Sequence, residues 1–113
     1  MKQKQKEIME FPKGLHIYYY NRKGQMVGVF AATATQFDPH YYGIGWSLCN
    51  VKDGDIFDKN LAKKIAYDRA FKGSASQVPI SMHNKYYEYI RIAAKYFKDK
   101  KYIFNLIIDE KNP

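Results

Sequence analysis

A chain of 113 residues has room for one hydrophobic core and not for two, so it reads as a single domain over 1–113. An apolar share of 46% excludes a wholly disordered chain; no apolar run nears the roughly 18 residues of a spanning helix, which excludes a helical membrane protein. Nineteen basic residues against eleven acidic leave a net charge of +8, which favours anionic partners such as nucleic acid or phosphorylated small molecules, or else serves solubility alone.

Residues 1–11 are polar and charged, lack the apolar centre of a signal peptide and read as a flexible lead that ends at Pro12 and Gly14. Leu15, Ile17 and Tyr19 then alternate with His16, Tyr18 and Tyr20, the period of a half-buried strand. The run 21–25, NRKGQ, supplies turn chemistry, with Gly24 suited to positive φ in a bulged hairpin turn. Residues 26–35 return as a second strand, and Asp38-Pro39 marks the next turn.

The third strand, over 41–50, has two unlike faces. Tyr42, Ile44, Trp46 and Leu48 lie on one; Gly43, Gly45, Ser47 and Cys49 lie on the other. The small face lets something approach closely: a packed helix, another subunit or a flat ligand. Cys49 is the only cysteine, so no internal disulfide forms and a reducing compartment is expected; the thiol reads as a buried spectator. After an acidic loop with Asp53 and Asp55, Asp58 is placed to cap a helix over 59–72 that stops at Gly73. Its apolar stripe is Leu61, Ala62, Ile65 and Ala66, with Arg69 near the middle.

Ser81 is placed to cap a second helix reaching about residue 98, with Met82, Tyr86, Ile90, Ala93, Ala94 and Phe97 on one side. On the other side Tyr87, Arg91, Lys95 and Lys98 follow at helical spacing, an aromatic beside a line of cations. The run 102–108, YIFNLII, is β-branched and aromatic and reads as a closing strand. The fold class is therefore α+β: an N-terminal antiparallel sheet of three or four strands, then two C-terminal helices packed on one of its faces.

Catalytic signals are weak. His16, His40 and His83 are scattered, with no zinc spacing among them and the single cysteine. The aspartates of DGDIFD lack the closing glutamate of a calcium loop, and Gly43-x-Gly45 lacks the third glycine and the following helix of a dinucleotide fingerprint. A binding protein without metal or cofactor is expected, not an enzyme. Arg69, on an apolar stripe, must bury its stem and find acceptors. Either it pairs with Asp53 or Asp55, or it reaches a ligand phosphate.

The run 47–70, SLCNVKDGDIFDKNLAKKIAYDRA, joins a cysteine-bearing strand, an acidic loop, Phe-Asp-Lys and a helix ending Ile-Ala-x-x-Arg-Ala. With the order of sheet then helices, it resembles the Thoeris anti-defence 1 family of small phage proteins. Gly54-Asp55-Ile56 lengthens the acidic loop relative to that pattern, and Ala62 stands where the pattern has glycine. The resemblance implies a viral anti-defence sponge acting in the host cytoplasm. It would sequester a cyclic nucleotide immune messenger (a cyclic ADP-ribose isomer or cyclic oligonucleotide) uncleaved, in a pocket between subunits of a homo-oligomer. Such a ligand needs cations and aromatic platforms, for which the chain offers Arg69, Arg91, Lys59 and Arg22, with Phe57, Tyr42, Tyr87 and Trp46. The alternatives are a small basic nucleic-acid-binding protein and an inhibitor that docks on a host defence protein.

Overall fold

The computed structural model describes residues 14–49, 54 and 56–108. Three antiparallel strands come first: β1 (His16–Arg22), β2 (Gln25–Ala34) and β3 (Tyr41–Leu48). Lys23 and Gly24, both at positive φ, form the two-residue loop between β1 and β2, the geometry whose twist matches that of the flanking strands. The expected bulge lies before this loop, between Tyr20 and Asn21. Helix α1 (Lys59–Lys72) follows, then β4 (Ser76–Gln77), a 3₁₀ turn (Ile80–Met82), helix α2 (His83–Tyr96), β5 (Lys101–Tyr102) and β6 (Leu106–Ile107). The fold is α+β, a mostly antiparallel sheet followed by two helices. No helix among the described residues is long and apolar enough to cross a membrane.

The two helices do not share a face of the sheet. Phe30, Ala32, Tyr42 and Ile44 pack with Tyr86, Tyr89 and Ala93 of α2, whereas Val29 and Ala31 pack with Ala62 and Ala66 of α1. Adjacent strand residues point to opposite sides, so the sheet lies between the helices. The small face of β3 explains the position of α1. A Cβ on Gly43 would stand 2.6 Å from the Ala70 carbonyl oxygen, and one on Gly45 would overlap that of Ala66. Only alanines fit against such a surface, so the buried line of α1 is Ala62, Ala66 and Ala70. Leu61, expected on the stripe, is half exposed. Asp58 caps α1 by accepting from the Leu61 N–H at 3.1 Å, and Gly73 closes it in the left-handed conformation.

On the opposite face the core is aromatic. Tyr89 is fully buried, stacks on Tyr18 with centroids 5.2 Å apart and lies against Phe30. Ser81 does not cap α2; it sits within the 3₁₀ turn, and Met82 precedes the helix without a side-chain cap. The closing strand is split. β5 pairs parallel to β3, and β6 pairs parallel to β4 in a separate two-stranded sheet. Between them Phe104 takes φ 52° and Asn105 turns inward. Its side-chain oxygen accepts from the Ile44 N–H at 3.1 Å, and its amide donates to the Ile44 and Ser74 carbonyls at 2.9 and 3.0 Å. One buried amide thus substitutes for a strand residue at the β3 edge and satisfies groups that burial would otherwise strand.

Candidate functional site

Arg69 leaves α1 beside Gly45 and reaches the same β3 edge. Its Nη1 donates to the Trp46 carbonyl at 2.6 Å, and its guanidinium lies 4.5 Å from the centroid of the Trp46 ring. The indole N–H donates in turn to Ser76 Oγ at 2.9 Å. Arg69 therefore satisfies a backbone carbonyl where β5 is too short to pair, which is a structural duty. Asp53 and Asp55, its expected partners, lie outside the described residues.

Trp46 apart, the other expected ligand residues are engaged elsewhere. Tyr42 is 3% exposed and stacks between Phe97 and Tyr102, so it is a core residue and no open platform; burial pushes its phenol up from the ordinary value. Arg22 folds back over the Tyr20 ring, 5.6 Å from its centroid. The Lys59 ammonium stands 5.2 Å from the centroid of Tyr19 on the α1 side. Phe57 packs against the Val29/Ala31 cluster. It also lines a cavity of about 360 Å³ with Cys49, Asp58, Leu61 and Ile65. Cys49 is thus half-buried at a cavity wall and not sealed in the core.

The cationic face of α2 fares better. Tyr87, Arg91 and Lys95 are all exposed, as the spacing predicts, and the line runs on into Lys98 past the helix end. Over 91–101 the chain carries Arg91, Lys95, Lys98, Lys100 and Lys101 against Asp99 alone. Among the described residues the salt bridges are His40–Asp38, Lys64–Asp68 and Lys85–Glu88, so none of these five cations is ion-paired there. Lys100 donates to the Pro39 carbonyl at 2.7 Å. A helix C-terminus favours cations through its dipole, which accounts for Lys95 but not for the lysines beyond the last turn.

These lysines border a cleft of about 390 Å³ between α2 and β5. Its floor is Tyr42, Ile90, Phe97 and Tyr102, and Phe104 stands at its rim, 72% exposed. The cleft was not legible in the sequence, because it depends on β5 crossing to pair with β3. No family model, curated protein or solved structure matches the chain. Function is therefore argued from these side chains. Among the described residues no group of three His, Cys, Asp or Glu side chains is placed to hold a metal ion.

Proposed function

We propose that this chain is a binding protein for nucleotide phosphates that takes up a cyclic nucleotide messenger in an infected host and holds it without breaking it. One observation carries the reading: Arg91 and Lys95 on α2 and Lys98 just past its end are exposed and form no ion pair among the described residues, and Tyr87 is exposed one turn before Arg91. Cations without a protein counter-charge attract phosphate, and a neighbouring aromatic accepts a base. The resemblance of 47–70 to the anti-defence sponges supplies the cyclic messenger as ligand. Arg69 is not part of this site, being engaged by Trp46. The test is calorimetric titration with cyclic ADP-ribose isomers and cyclic di- and trinucleotides, with the ligand recovered after heat denaturation. Tight binding and recovery of unaltered ligand are expected; a cleaved product, or silence across the panel, overturns the sponge.

A second reading has its own support. The cations lie along an open helix face, a shape that follows a polymer backbone as readily as it holds a small ligand. A nucleic-acid-binding protein would bind oligonucleotides with an affinity that falls linearly in log–log dependence on salt. Binding of oligonucleotides with that slope, and of no cyclic nucleotide, would make this the function.

A further inference from the structure

We infer that the cleft between the end of α2 and β5 seats one nucleotide unit, its base against Phe104 and its phosphate between Lys98 and Lys101. This deepens the nucleotide-binding reading and rests on it, sharing Lys98 with it and adding Lys101 and Phe104.

Phe104 is the first reason. A phenylalanine both 72% exposed and at φ 52° is unfavourable on two counts, since bulky side chains avoid the left-handed region. Its neighbours impose the conformation. The Ile103 N–H donates to the Tyr42 carbonyl at 3.1 Å, and the side chain of Asn105 grips Ile44. Pinned on both sides, Phe104 is held outward beside Tyr102, with ring centroids 4.6 Å apart. An aromatic fixed in advance loses little entropy when a base stacks on it.

Charge is the second reason. Lys98 and Lys101 border the cleft, are exposed and have no ion-pair partner among the described residues, whereas Lys100 is tied to Pro39. The floor is apolar and the volume, about 390 Å³, falls in the range of small-ligand pockets. An aromatic wall alone would accept any apolar ring, and lysines alone any anion; together they select a molecule that carries both. A base with its phosphate is that molecule, whether free, in a cyclic nucleotide or as one unit of a single strand.

The test uses the full chain with adenosine monophosphate, cyclic di-adenylate and a short single-stranded oligoadenylate as probes, and ribose 5-phosphate as the control without a base. Phe104→Ala should weaken the adenine-bearing probes about tenfold, the loss of one stacked base, and Phe104→Trp should restore them. Lys98→Gln with Lys101→Gln should weaken every probe and flatten the salt dependence. Ribose 5-phosphate should be indifferent to Phe104→Ala. Loss confined to the cyclic probe or to the oligoadenylate identifies the source of the unit, and either supports the seat. If the probes bind the parent protein and Phe104→Ala leaves them unchanged, the seat is wrong while nucleotide binding stands. If no probe binds the parent protein, both fall.

Discussion

At the scale of single residues, two polar side chains hold the β3 edge. Arg69 satisfies the Trp46 carbonyl and covers its ring, so Arg69→Ala should cost about 1–2 kcal/mol, one charge-assisted hydrogen bond with a half-exposed cation–π contact. Denaturant titration reads that loss, and Arg69→Lys should recover little of it, because an ammonium lacks the planar stacking surface. Unchanged stability in Arg69→Ala would contradict the structural assignment. Asn105 matters more. Its removal leaves both the N–H and the carbonyl of buried Ile44 without partners, and Asn105→Ala should destabilise by about 2–4 kcal/mol in the same measurement. Neither role has a local sequence signature. An arginine on an apolar stripe announces that it needs acceptors, but a backbone carbonyl 23 residues earlier leaves no mark in the pattern.

At the scale of elements, the approach of α1 to β3 is set by Gly43 and Gly45. Gly45→Ala drives a methyl into the Ala66 carbonyl and within 2.7 Å of the Ala70 nitrogen. Since both are helix backbone, they cannot turn aside, and the variant should lose about 3 kcal/mol or more, seen as a large drop in melting temperature. A melt equal to the parent's would mean that α1 does not rest there. Much at this scale was legible: the alternation of 15–20, a turn within 21–25 with Gly24 at positive φ, the Asp58 cap and the Gly73 stop are all local signals, and the structure has each of them. The exposed cations of α2 were legible for the same reason, as a period along one helix. The side of the sheet taken by each helix was not, because unlike faces on β3 admit α1 without saying where α2 goes. The run 102–108 misled because its apolar residues suit any strand, while the buried amide of Asn105 ends one pairing and begins another.

At the scale of the molecule, the tyrosine-rich core predicts how stability changes with pH. Burial holds the phenols of Tyr89 and Tyr102 far above their ordinary value of 10.0, and Tyr86, bonded to Tyr102, is raised as well. These groups stay protonated in the fold but ionise when unfolded. Their contribution is whole below pH 10.0 and is lost as pH rises above it. Stability should therefore fall steeply in alkali, and Tyr89→Phe should flatten that fall; a curve flat beyond the phenol range would contradict the burial. His16 acts at the other end, since burial beside Tyr89 lowers its pKa below 6.5; its contribution is present above that value and diminishes as pH falls. The central claim concerns the outer face of α2, and calorimetry of two variants against the cyclic nucleotide panel tests it most directly. Binding should weaken at least about tenfold in the Arg91→Gln, Lys95→Gln double variant, two lost phosphate contacts, and persist in Arg69→Ala protein that remains folded. Undiminished binding by the double variant, with binding abolished in folded Arg69→Ala protein, would contradict the account and return the site to the β3 edge.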